Sequence, residues 1–235
     1  MDRKKFIKNS ILGIASIATV SKLMESCSKG DDHQNSNNST DSGCTISPTE
    51  TKGPFPIKTP SQLVLENIKS DRIGIPLLIN LTIENKNNNC SVVEGIIVDI
   101  WHCDKDGNYS EYGGTQMQQI DYTTVHFLRG RQTTNANGLA SFISIYPGWY
   151  SGRAPHIHIE VLSSSGSSLL ITQVAFPENV SNEVYSSSNY AAHGQANTSN
   201  TSDNVFSDSL SNELATVTGN LIDGYTLTKT IVVRA

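Results

Sequence analysis

The chain has 235 residues and a net charge of −5, enough for one domain with a sizeable core. Residues 1–26 hold five basic and two acidic side chains, so the remainder stands at −8; that argues against a nucleic-acid-binding surface, because phosphate recognition needs clustered Lys and Arg. Ser, Asn, Thr and Gly dominate the remainder, a composition that suits a loop-rich β protein better than a helical one.

The N-terminal segment reads as a targeting signal. Asp2-Arg-Lys-Lys-Phe-Ile-Lys8 is a basic start, and Ile11 to Val20 is an uncharged, mostly apolar stretch too short to span a bilayer as a stable helix. Leu23-Met-Glu-Ser-Cys27 follows and resembles a bacterial lipoprotein cleavage site, with Glu25 unusual and Leu23 one position early. Arg3-Lys4-Lys5-Phe6-Ile7-Lys8 resembles a twin-arginine export signal with Lys in place of one Arg. The expectation is a signal peptide over 1–26, then attachment to a cell-envelope membrane through a lipid on Cys27. The alternative is an ordinary cleaved signal with an incidental cysteine. Residues 27–43 are polar and lack aliphatic or aromatic side chains after Cys27, as in a flexible tether. With Cys27 lipidated, an oxidising compartment allows one disulfide among Cys44, Cys90 and Cys103, and Cys44–Cys90 is the expected pair.

A single domain is expected over 44–235. Strands are predicted at Ile75–Glu84, at Val92–Trp101 with Gly95 as a bulge, and at Leu139–Ile145, His156–Leu162, Leu169–Phe176 and Thr226–Val233. Turn-rich segments separate them, among them Asp104-Lys-Asp-Gly107 and Asn135-Ala-Asn-Gly138. Ser181 to Asp208 reads as a long irregular loop, and Phe206 to Ala215 as one short helix. The fold class is all-β, a sandwich of antiparallel or mixed sheets with long loops at one end.

The sharpest local feature is Gly148-Trp-Tyr-Ser-Gly-Arg-Ala-Pro-His-Ile-His158. Side chains alternate along a strand, so His156 and His158 share a face and make half of a metal site. The plainer alternative is two polar positions on a solvated face, with Ile157, Ile159 and Val161 buried behind them. Glu160, on the same face, would complete a two-His, one-carboxylate set. Tyr109 and Tyr150 offer phenolate oxygens instead. Two phenolates with two neutral imidazoles favour iron(III) over a divalent ion, because they offset its charge. Each tyrosine alone also fits a half-buried aromatic with its hydroxyl hydrogen-bonded.

Several ordered motifs resemble the intradiol ring-cleavage dioxygenase family, which includes catechol and protocatechuate dioxygenases. They are Thr49-Glu-Thr-Lys-Gly-Pro-Phe55, Val98-Asp-Ile-Trp-His-Cys-Asp104 with Gly107-Asn-Tyr-Ser110, Phe127-Leu-Arg-Gly130, Thr133 to Gly138, and Ile145 to His158. Thr172-Gln-Val-Ala-Phe-Pro177, Asn182-Glu-Val-Tyr185 and Tyr190-Ala-Ala-His193 continue the match. The resemblance spans Cys44 to Ala235 and is nearest to single-chain, exported relatives. It implies Fe(III) held by Tyr109, Tyr150, His156 and His158, with Arg153 and Gln173 beside the substrate. Lys52, His126 and His193 depart from the family pattern and bear on substrate details.

The resemblance further implies ring opening of a small aromatic 1,2-diol by O2, giving a cis,cis-muconate-type diacid. Tyr150 would leave the metal and act as a base. No nicotinamide or flavin is needed, and no Gly-rich dinucleotide motif is present. Two other readings stand beside this one: a lipid-tethered sandwich that binds glycans or proteins without catalysis, and a zinc or copper site on the same scaffold, which the two tyrosines disfavour. The sequence leaves the particular diol and the oligomeric state open.

Overall fold

The computed structural model describes residues 43–235; the expected signal segment 1–26, Cys27 and all of the tether except Gly43 lie outside the described residues. Period-two alternation builds the first sheet. In β1 (Pro76–Asn85), Leu77, Ile79, Leu81 and Ile83 are buried while the residues between them are half-exposed. β9 (Gly224–Val233) runs parallel along one edge of β1, and β8 (Thr216–Asn220) pairs antiparallel with β9. The other edge of β1 takes β5 (Leu139–Ile145) and then the short β2 (Ser91–Val92), both antiparallel. The sheet is therefore mixed.

The second sheet is antiparallel, in the order β4 (Arg129–Thr133), β3 (Ile97–Trp101), β6 (His156–Leu162), β7 (Ser168–Ala175). Val98, Ile100, Ile157, Ile159, Val161, Leu170 and Val174 face the first sheet and pack into one apolar core with Leu77, Ile79, Phe142, Leu227 and Ile231. Burying each such side chain contributes about 1.5–3 kcal/mol. Two helices, α1 (Glu178–Tyr185) and α2 (Leu210–Glu213), lie in the connection from β7 to β8.

Several expectations need correction. The single strand expected over Val92–Trp101 is two strands in different sheets, because the chain turns a corner at Gly95 (φ +78°). Strands β4 and β8 were not expected: one reads Arg-Gly-Arg-Gln-Thr and the other is an exposed edge, so neither shows apolar alternation. The loop expected from Ser181 begins inside α1, and the helix expected over Phe206–Ala215 shrinks to the single turn of α2.

The solvated-face reading of β6 also fails, since all seven of its residues are buried. Its outer face is covered by an extended segment, residues 45–57, called here the strap. Ser47 exchanges hydrogen bonds with Val232, Glu50 N–H donates to the Ile171 carbonyl at 2.7 Å, and Lys52 meets Glu160 at 2.7 Å. The Phe55 carbonyl accepts from Arg129 Nη1 at 3.0 Å. Just before the strap, Cys44 is bonded to Cys90, the expected pair, and Cys103 is a buried thiol.

Candidate active site

The outer face of the second sheet carries the chemistry in cross-strand rows. His158 on β6 stands opposite Trp101 on β3 and Gln173 on β7, and Trp101 stands opposite Arg129 on β4. The Trp101 and His158 rings stack at 5.1 Å, nearly parallel. On the side away from the sheet, Gly53 of the strap presses on the His158 ring: a Cβ placed there would meet Cε1 at 2.8 Å. This ring is fixed between the sheet and the strap.

Four donor atoms converge. His156 Nε2 lies 3.1 Å from His158 Nε2, 3.3 Å from the Tyr109 hydroxyl and 3.5 Å from the Tyr150 hydroxyl. Tyr109 follows the turn after β3, and Tyr150 lies in the loop before β6. Phe55 backs both: it stacks on Tyr109 at 4.8 Å and meets Tyr150 edge-on at 6.2 Å. His156, His158 and Tyr109 are all at most 2% exposed, whereas Tyr150 is half-buried.

The tautomer of His156 follows from its partner. Its Nδ1 lies 2.6 Å from the Ala154 carbonyl, which only accepts, so Nδ1 carries the proton and Nε2 turns a lone pair inward. Burial, reinforced by Arg153, holds its pKa down at about 3. Burial likewise pushes His158 well below the usual histidine range, with His156 and Arg153 adding to it. Both rings are thus neutral near pH 7, as metal ligation requires. His158 Nδ1 meets no hydrogen-bond partner within range, although the Thr51 carbonyl beside it raises the pKa slightly. Burial raises Tyr150 to about 12, with Arg153 opposing, and raises Tyr109 well above the usual phenol range. Without a cation both phenols stay protonated.

The set fits a metal ion. Bonds of about 2.0–2.1 Å to nitrogen or oxygen put adjacent donors about 2.8–3.4 Å apart, close to the spacing found. Among the described residues no group of three or more His, Cys, Asp or Glu side chains converges, so the histidines need the tyrosines to complete a site. Glu160 does not complete it, because it is engaged by Lys52. Two phenolates and two neutral imidazoles suit a hard trivalent ion better than zinc.

Arg153 and Gln173 flank this cluster. Arg153 Nη2 donates to Gln173 Oε1 at 2.6 Å, and Gln173 Nε2 donates to the Thr51 carbonyl at 2.9 Å. Of the positions departing from the family pattern, His126 Nδ1 lies 2.8 Å from Glu111 Oε1, and His193 Nε2 donates to the Trp149 carbonyl at 2.8 Å. Gly53, Phe55, Trp101 and Arg129 had not been given a part in the site. All four fall within motifs of the resemblance that could have flagged them: Thr49 to Phe55, Val98 to Asp104 and Phe127 to Gly130.

A family model described as dioxygenase matches residues 53–209. The structure of an intradiol ring-cleavage dioxygenase from Tetranychus urticae superposes with a TM-score of 0.72 at 30% identity, covering 81% of this chain and 95% of that one. The dioxygenase domain of a carbohydrate-binding fusion from Streptomyces sp. SirexAA-E matches with a TM-score of 0.56 at 24% identity, over 81% of this chain and 99% of that one, a likeness of fold. A chlorocatechol 1,2-dioxygenase from Rhodococcus opacus is 31% identical over an alignment of 103 residues that covers 36% of this chain and 37% of that protein.

Proposed function

This chain belongs to the intradiol ring-cleavage dioxygenases, and from that membership we propose that it binds iron(III) through Tyr109, Tyr150, His156 and His158 and opens a catechol-type 1,2-diol between its hydroxylated carbons with O2, yielding a cis,cis-muconate-type diacid. The observation that supports this most is the convergence of two imidazole nitrogens and two phenol oxygens within 3.1–3.5 Å of His156 Nε2, with three of the four side chains buried. Bound there, iron(III) supplies the electron-withdrawing centre that makes a catecholate ring carbon reactive toward O2.

The residues divide the remaining work. Tyr109 is fully buried and backed by Phe55, so it anchors. Tyr150 sits at the half-exposed edge with its hydroxyl aimed at the same point, placed to take a proton from a substrate hydroxyl as its phenolate. Arg153 turns positive charge toward the pocket, where negative charge develops on the ring during oxygen insertion. The strap and the Trp101–His158 stack keep bulk water from the nitrogen side.

The test is optical and chemical. Iron-loaded protein is expected to show a tyrosinate charge-transfer band that shifts when catechol is added without oxygen. Admitting 18O2 should then give a diacid carrying label in both new carboxyl groups. Protein that stays colourless after iron reconstitution, or that leaves catechol intact, overturns the reading.

The same reading extends to location: residues 1–26 direct export, and Cys27 carries a lipid. The Cys44–Cys90 bond supports an oxidising compartment. Palmitate labelling that persists in Cys27→Ala would refute the lipid site.

A further inference from the structure

The roles above leave Asp203 without one. It lies in the Ser- and Asn-rich run between α1 and α2, yet it has no exposed surface. A buried carboxylate is stable only where donors satisfy it, and here they are supplied from two places. Arg153 Nε donates to Oδ1 and Oδ2 at 3.0 and 2.9 Å. Ala154 N–H donates to Oδ2 at 2.7 Å, and Val205 N–H to Oδ1 at 2.9 Å.

The guanidinium is thereby pinned at two corners, at Nε by Asp203 and at Nη2 by Gln173. Gln173 is itself fixed, being paired in β7 opposite His158 and bonded to the Thr51 carbonyl. Two fixed points define the plane of a rigid fork. Phe206, three residues beyond Asp203, backs it: its ring lies 5.7 Å from Arg153 Cζ and 6.4 Å from the His156 ring. What remains of the fork faces Tyr150, whose phenolate it favours.

We propose that Asp203 is a positioning residue for ring opening: it sets the plane of Arg153, so that the guanidinium edge meets Tyr150 and the bound diol, and it ties the polar loop after α1 to that edge. This rests on the functional reading above. A purely structural staple would need only the Ala154 and Val205 amides. The engagement of Arg153 Nε, whose one N–H is shared between both carboxylate oxygens, is what points to a part in the reaction. Asp203 does not reach the pocket, so its effect passes through Arg153.

The test is Asp203→Asn in the full-length, iron-loaded protein, alone and combined with Arg153→Ala. The expected result is unchanged iron content and tyrosinate band, KM within about threefold, and kcat lower by about 10–100-fold. In the Arg153→Ala background the same change should cost less than about twofold, because the residue it acts through is gone. An equal loss in both backgrounds, or an unchanged kcat, overturns the proposal. Should Asp203→Asn fail to fold, Arg153→Lys decides: an ammonium can meet Asp203 but cannot span Asp203 and Gln173. It should lose kcat to the same extent, and near-normal turnover would refute the positioning role.

A second readout needs no turnover. In iron-free protein the Arg153 Nε–H is expected to be slow in hydrogen exchange, and fast in Asp203→Asn with the backbone spectrum unchanged. If the iron-loaded wild type opens no catechol while this protection depends on Asp203, the functional reading fails and the clamp stands. If the protection does not depend on Asp203, the clamp fails.

Discussion

Replacing Gly53 with Ala should damage the site through one contact. Gly53 has φ +66°, and an added Cβ would lie 2.8 Å from His158 Cε1 and 3.2 Å from Nε2. The left-handed backbone costs a non-glycine residue about 1–2 kcal/mol. The overlap adds about 1–3 kcal/mol of overpacking, because the ring cannot retreat through the Trp101 stack behind it. A total of about 2–5 kcal/mol corresponds to a fall in Tm of about 4–20 °C at this size. Gly95 is the control: its φ is +78°, but an added Cβ meets nothing within 4 Å. Gly95→Ala should show the backbone cost alone, about 2–8 °C. Iron titration separates the two further, since displacing a ligand ring should weaken iron binding about 10–100-fold in Gly53→Ala and not at all in Gly95→Ala. Thermal melts of iron-free protein and the tyrosinate band report the two quantities. Equal Tm losses with undiminished iron affinity in Gly53→Ala would refute the strap's role in holding His158.

Three further outcomes are expected. His158→Ala should abolish iron retention and ring opening, as read by metal analysis and diacid formation; a fully active variant would sink the ligand assignment. The iron-free protein should lose stability on acidification. The pKa values of His156 and His102 are held down by burial at about 3 and about 4, and His158 lies well below the usual range. The unfolded chain therefore takes up protons first. Stability present above about pH 6.5 falls toward pH 3–4 by up to about 1.4 kcal/mol per pH unit for each histidine, and urea midpoints flat across that window would contradict it. Finally, the Cys44–Cys90 bond spans 46 residues, for which chain entropy gives about 4 kcal/mol. Cys44→Ser/Cys90→Ser should melt about 8–16 °C lower, and a shift under about 2 °C would show that the bond constrains little.

The parts of this fold that depend on local pattern were legible in the sequence. β6 was placed at its observed bounds, because Ile157, Ile159 and Val161 alternate with residues that flank them on the other face. The burial of that other face was not legible, since it depends on a strap more than a hundred residues earlier in the chain. β4 was missed because its buried Arg129 owes its place to Ser110 and the Phe55 carbonyl, not to apolar character. Within the site, the period of a strand put His156 and His158 together, whereas Tyr109 and Tyr150 were candidate donors that only the family resemblance set apart from ordinary half-buried aromatics. Asp203 could not be told from Asp208 in the same polar run. The need for a buried Arg153 to have a carboxylate partner is a physical rule, but the choice of partner lies in the path of the loop.

The Cys44–Cys90 bond also decides where force goes. Tension applied through the chain before Gly43 reaches Cys44 first, and the crosslink passes it to the turn between β1 and β2, where Cys90 N–H is bonded to the Asn85 carbonyl. The strap carries no load while that bond is intact. Once it is reduced, the same pull runs along residues 45–57 and detaches them in series: Ser47 from Val232, Glu50 from Ile171, then Gly53 from the His158 ring. Such unzipping proceeds at low force compared with shearing a whole sheet, so the donor cage would open while the sandwich was still folded. The crosslink acts as a strain relief, isolating the site mechanically from the N-terminal chain.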